Sequence, residues 1–313
     1  MLRLPYHWVW DSWFAEDGEG RHHVFFLRAP RALVDPERRH RRASIGHAVS
    51  SDLRSWRLAP DALVAAETPA WDDLATWTGS VVRGPDRRWF LFYTGIGRTE
   101  DGRVQRIGLA TSDDLYTWRR HGTGPLVEAR SAWYERLGSS SWPEEAWRDP
   151  WVVADPGGDG WHMLVTARAN HGPTGMRGVI GHARSADLLR WEVRPPLTRP
   201  ARFGHLEVPQ VEVVDGQPLL LFCTNLTDRT DAGPADRIWV VPGPSLTGPW
   251  DVTTARPVRC PHLYAPRLVR DAAGAWQLIG FVDDPDGRFA GELSDPIPVR
   301  FTAGRGLRLL DGG

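Results

Sequence analysis

Three carboxylates stand out by their neighbours. Asp11 lies within Trp8-Val9-Trp10-Asp11-Ser12-Trp13, Asp149 within Arg148-Asp149-Pro150, and Glu207 within Glu207-Val208-Pro209. Cleaving a glycosidic bond needs a carboxylic acid to protonate the leaving oxygen. It also needs a carboxylate on the other side to attack carbon or to activate water. A third anion can stabilise an oxocarbenium-like transition state or hold sugar hydroxyls. An Asp among Trp residues is a costly place for a charge unless it has a partner or a task. Each acid also has a plainer reading: a capping Asp at a bulge, a structural ion pair before a proline turn, and a solvated Glu at a strand edge.

Composition narrows the other chemistry. The 313 residues include no Lys, which excludes Schiff-base, Walker-A and Ser-Lys mechanisms. A formal net charge of -1 gives no reason to expect nucleic acid or an anionic membrane as a partner. Cys223 and Cys260 have no C-x-x-C spacing; Cys223 reads as a buried inert thiol, and a disulfide between the two stays open. Neither a His-x-x-x-His pair nor an Asp-rich loop occurs, so no metal or other cofactor is expected, and His22-His23 reads as solvated strand. No apolar run reaches the roughly 20 residues of a membrane helix. The first residues lack a secretory apolar region, which makes the cytoplasm the expected location. The 17 Trp residues suit packing between sheets or platforms for sugar rings.

The elements that must position the acids repeat. Ile-Gly-x-Ala-x-Ser-x-Asp-Leu-x-x-Trp runs over 45–56, 107–118 and 180–191, with a degraded copy over 238–250. Its first half alternates as a strand, and Ser-x-Asp-Leu reads as a turn whose side chains satisfy local N–H groups. Ahead of each hairpin lie two more strand signals. The first set is 8–13, 79–83, 150–154, 209–214 and 266–270; the second is 23–27, 89–93, 161–166, 219–223 and 276–281. Five units of four antiparallel strands predict an all-β, five-bladed β-propeller occupying 1–313 as one domain. A β-sandwich is the competing fold, but it gives no reason for the shared hairpin. In a propeller the first strands line the central channel, so the three acids would converge there.

In order along the chain, these segments resemble glycoside hydrolase family 32, the β-fructosidases. Trp10-Asp11-Ser12-Trp13 is similar to the nucleophile motif of the related levansucrases. Trp77-Thr78-Gly79-Ser80, Leu91-Phe92-Tyr93-Thr94-Gly95, Arg148-Asp149-Pro150, Glu207-Val208-Pro209 and Tyr264-Ala265-Pro266 resemble successive family segments. The invertase residues after the nucleophile and the C-terminal β-sandwich of the family are not matched. The resemblance implies a retaining enzyme acting on a carbohydrate, with Asp11 as nucleophile, Glu207 as acid/base and Asp149 as transition-state stabiliser held by Arg148. Trp8, Trp10, Trp13, Trp77, Ser80, Arg148, His205 and Tyr264 form the expected substrate-binding set, with Trp142 and Arg267 as further candidates. Trp56, Trp118 and Trp191 are assigned to packing between blades. Three alternatives stay open: an inverting arabinofuranosidase or xylosidase of the family 43 type, a transfructosylase, and a sugar-binding propeller without catalysis.

Overall fold

A computed structural model describes residues 1–228, 236–283 and 289–310. Five antiparallel sheets follow one another along the chain, each beginning with the strand nearest the channel. Those inner strands are His7–Glu16, Ala75–Arg83, Trp147–Ala154, Glu207–Val214 and Leu263–Arg270. They touch in cyclic order, the fifth against the first, which closes the five-bladed propeller. In the fifth blade the third strand is split into Phe289–Leu293 and Ile297–Thr302, both paired with Trp276–Asp283. The chain start joins this blade, since Leu2 and Leu293 exchange backbone hydrogen bonds of 3.2 and 3.0 Å.

The repeat has a packing explanation. Its Gly lies opposite a bulky residue of the second strand, as in the pairs Phe26–Gly46, Tyr93–Gly108 and Val165–Gly181. A Cβ on Gly108 would sit 2.5 Å from the Tyr93 ring, so only Gly lets that ring lie flat on the sheet. The turn behaves as its residues predict. Asp52, Asp114 and Asp187 each accept two backbone N–H groups just downstream, while Ser50, Ser112 and Ser185 bond the same Asp. The following Leu53, Leu115 and Leu188 take positive φ values of 60°, 67° and 67° and point into the core. Trp118 and Trp191 meet Phe25 and Phe92 of the preceding blades edge-on at 5.6 and 5.5 Å, which makes them inter-blade residues as expected. Trp56 instead lies against Phe14 of its own blade.

His22 and His23, expected to be solvated, are buried. His23 Nδ1 is 2.9 Å from His47 Nε2, and Asp17 lies 3.4 Å from the other ring nitrogen. The third blade repeats this row as Asp155, His162 and His182. Burial, then the neighbouring imidazole, pushes His47 down to about 3, so this ring stays neutral at working pH.

One irregularity recurs where it matters. All five inner strands break register at one level: at Asp11, at Thr78, at Asp149-Pro150, at Val208-Pro209 and at Ala265-Pro266. Asp11, Asp149, Val208 and Ala265 have φ of 33°, 57°, 51° and 44°, a region that side chains rarely occupy. Bulges re-aim side chains, and such strain clusters at functional sites. The expected strand starts at Gly79, Pro150, Pro209 and Pro266 are therefore late. The strands begin upstream and pass through the bulge, which the prolines permit because an inner strand is a sheet edge needing no donor there.

Candidate active site

The ring of bulges opens into a cavity of about 530 Å³ that all three acids line. Asp11 comes from the first blade, Asp149 from the third and Glu207 from the fourth. Arg148, buried, joins Asp149 and Glu207. Its Nη2 donates to Glu207 Oε1 at 2.6 Å, its Nη1 to Glu144 Oε1 at 2.8 Å and Gln105 Oε1 at 3.0 Å, and its Nε lies 3.6 Å from Asp149 Oδ2. The expected hold of Arg148 on Asp149 is thus its weakest contact. Asp149 is fixed instead by the Thr166 hydroxyl at 2.8 Å and the Val208 N–H at 3.2 Å, both donating to Oδ2. The Val208 peptide follows Glu207, so the third and fourth blades register their acids against one another directly.

Asp11 Oδ2 accepts the Thr78 hydroxyl from the second blade. Burial first, then the charge of Asp149 and that of Glu207, pushes its carboxyl up to about 7, against the Thr78 hydrogen bond and the Arg267 charge. Burial likewise raises Asp149, opposed by Arg148. Glu207 Oε2 accepts the Tyr264 hydroxyl, and Asn225 Nδ2 stands 3.4 Å away. Burial and the Glu207 charge keep that phenol far above its ordinary pKa, so it remains a donor.

Of the expected binding set, Trp10, Trp77, Trp142, Arg148, His205 and Tyr264 line the cavity. Trp8, Trp13 and Ser80 do not. Trp8 is covered by Phe289 and by Gly291, where an added Cβ would sit 2.6 Å from its ring. Trp13 stacks on Phe25 at 6.2 Å inside the first blade. Ser80 lies beyond the bulge, and its hydroxyl accepts the Val152 N–H at 3.2 Å, tying the second blade to the third. Arg267 also lies outside the cavity, beneath it.

Sequence reasoning missed one wall entirely. The 3₁₀ segment Pro36–Arg41 brings Arg39 and His40 to the cavity. Arg39 lies over the Phe289 ring at 4.1 Å, and His40 meets Trp10 and Trp77 edge-on at 6.1 and 6.2 Å. The His40 carbonyl accepts the Trp77 indole N–H at 2.7 Å. Desolvation, then Arg39, pushes the imidazole down to about 4, so the wall presents a neutral ring near pH 7. Thr78, Glu144 and Asn225 were missed too. The bulge at Thr78, marked by a Gly just after it in a strand, is the one sequence signal that could have found any of them. Among the described residues, no cluster of three or more His, Cys, Asp or Glu could hold a metal ion.

Removing the phenol oxygen isolates one contact of Glu207. In Tyr264→Phe, Oε2 keeps only the distant Asn225, and a hydrogen bond to a charged group is worth about 1.5–3 kcal/mol. Steady-state kinetics on the best substrate should therefore show kcat/KM lower by ~10- to 100-fold with an unchanged melting temperature. An unchanged kcat/KM would make Tyr264 a packing residue only.

The model of the glycosyl hydrolases family 32 N-terminal domain matches residues 13–290, beginning just past Asp11. A β-fructofuranosidase of Arabidopsis thaliana, insoluble isoenzyme CWINV6, is 30% identical over 196 residues, 61% of this chain and 32% of that protein. A sucrose-6-phosphate hydrolase of Pediococcus pentosaceus is 27% identical over 207 residues, 66% of this chain and 37% of that protein. The chain thus matches well under half the length of either relative. Among solved structures, the inulosucrase from Halalkalicoccus jeotgali bound to kestose superposes with a TM-score of 0.77, covering 99% of this chain and 90% of that one. At 23% identity, that likeness speaks for the fold.

Proposed function

Because the chain belongs to glycosyl hydrolases family 32, we propose that it hydrolyses a terminal β-fructofuranosyl linkage with retention of configuration. The observation that supports this reading most is the convergence of Asp11, Asp149 and Glu207 from three blades on one cavity, with Arg148 against two of them. Asp11 attacks the anomeric carbon and forms an ester as the glycosidic bond breaks. Glu207 gives its proton to the departing oxygen. Water then attacks the anomeric carbon, breaking its bond to the Asp11 oxygen; the water's proton goes to Glu207, and Asp11 leaves as a carboxylate. Asp149 accepts hydrogen bonds from ring hydroxyls and stabilises the developing positive charge. Trp10, Trp77 and Trp142 supply apolar faces for the sugar, and His205 closes the side near Glu144.

Incubation with sucrose, inulin, levan and aryl arabinofuranosides, with released sugar and its first anomer followed by NMR, tests the reading. Fructosides should yield β-fructofuranose as the first product, and the arabinofuranosides should stay intact. Inversion, or cleavage of the arabinofuranosides alone, would overturn it. The levansucrase-like Trp10-Asp11-Ser12-Trp13 favours a second outcome, transfer of the fructosyl group to another sugar, which the same spectra register as glucose released in excess of free fructose.

A further inference from the structure

We propose that Arg267 is the positioning residue of the carboxylate trio, clamping the strained backbone of the nucleophile and of the acid/base from below; the proposal rests on the roles just given. Arg267 is 1% exposed and stands two residues past the fifth-blade bulge at Ala265. Its Nε donates to the carbonyl of Ser12, the residue after Asp11, at 3.2 Å. Its Nη1 donates to the carbonyls of Val208 and Pro209, just after Glu207, at 3.1 and 2.7 Å. One guanidinium therefore joins the bulges of the first, fourth and fifth blades. Backbone held at positive φ persists only where its surroundings over-determine it, and three hydrogen bonds from a rigid planar fork do that. The plane of the fork is itself fixed, lying over the Trp151 ring at 4.8 Å.

Its charge has a direction as well. Arg148, a second buried cation beside the acids, is engaged by Glu207 and Glu144. No carboxylate among the described residues lies in ion-pair range of Arg267, so the field of Arg267 is not cancelled locally and falls on Asp149 and Asp11. The groups facing Asp11 are Asp149 and Glu207, which disfavour its ionised form, and Thr78 and Arg267, which favour it. Arg267 borders a second cavity of about 240 Å³, formed by the far ends of the inner strands with Glu16, Glu212 and Trp276. It is the floor between the two spaces, so it can act on the trio without touching substrate.

The test pairs Arg267→Met with Arg267→Lys. An NMR titration of the Asp11 side-chain carboxyl carbon, assigned by its loss in Asp11→Asn, needs no substrate. In Arg267→Met the midpoint should rise, and in Arg267→Lys it should stay near wild type. With a fructoside that the wild type cleaves, kcat should fall ~100-fold in Arg267→Met at nearly constant KM, with the acid limb of kcat/KM displaced upward like the titration. Arg267→Lys should restore the limb yet remain ~10-fold slow, because one ammonium cannot reach three carbonyls on two blades. A lowered melting temperature with wild-type titration and kcat would overturn the proposal. If Arg267→Met does not fold, wild-type kcat in Arg267→Lys overturns it alone. A wild type that cleaves no fructoside defeats the functional reading and leaves the titration to judge Arg267.

Discussion

Asp11→Asn should lower kcat by at least ~10⁴-fold while the propeller stays folded. Asn has the shape of Asp, and its amide oxygen can still accept the Thr78 hydroxyl that now meets Oδ2. The bulge at residue 11 is also tolerant, since Asn enters positive φ more readily than most side chains. What the substitution removes is the anionic oxygen that bonds to the anomeric carbon. The loss should accordingly appear in kcat, with substrate affinity kept or improved. Single-turnover kinetics beside circular dichroism would check both halves, and wild-type turnover would remove Asp11 from the chemistry.

The same carboxyl fixes a pH dependence. With Asp11 held near 7 in the free enzyme, kcat/KM should fall on the acid side with a limb close to pH 7, since the protonated acid cannot attack. Stability should run the other way. A carboxyl whose folded pKa is raised favours the fold when protonated, and that advantage is lost as pH rises through the folded value. Asp11→Asn should therefore melt higher than wild type at pH 8, and the gap should vanish near pH 3, where both side chains are neutral. A melting difference that does not change with pH would mean that Asp11 carries no ionisation strain. On the proposed roles, the higher melting of Asp11→Asn at pH 8 would mean a nucleophile kept at a cost to stability, as is common at catalytic sites.

The legible parts of the molecule were those written locally. The blade repeat could be read because its turn is made by the residues that form it, Ser50, Asp52 and Leu53 and their copies, and because Gly46, Gly108 and Gly181 answer a bulky residue directly across the sheet. Asp11, Asp149 and Glu207 could be read because Trp or Pro neighbours mark them. The Trp assignments divided for a physical reason. Trp8, Trp10 and Trp13 sit in one strand with equal chemical promise, but Phe289 and Gly291, from the far end of the chain, cover Trp8, and Phe25 takes Trp13. Ser80 failed because the extra residue at Thr78 resets which side chains face the channel. Arg39, His40 and Glu144 carry no motif at all; they reach the cavity on connecting segments whose path only the assembled ring dictates.

Glu207→Gln should cost ~10²–10⁴-fold on sucrose and fructans, the usual worth of a positioned general acid and base. The amide keeps the length of the side chain, and its oxygen can still receive Arg148 or Tyr264, which now bind the two carboxylate oxygens. Arg148 retains Glu144 and Gln105, so it is not left without a partner. The deficit should therefore depend on the leaving group. An aryl β-fructofuranoside departs without a proton, so its first step should be nearly normal and the glycosyl-enzyme on Asp11 should accumulate. A burst of phenol followed by slow turnover would then appear. Azide, which needs no base, should restore turnover by attacking the anomeric carbon of the glycosyl-enzyme and displacing Asp11. An equal loss for aryl and alkyl leaving groups, with no burst and no response to azide, would mean that the proton comes from another group, with Glu144 the next carboxylate in line beside Arg148 and His205.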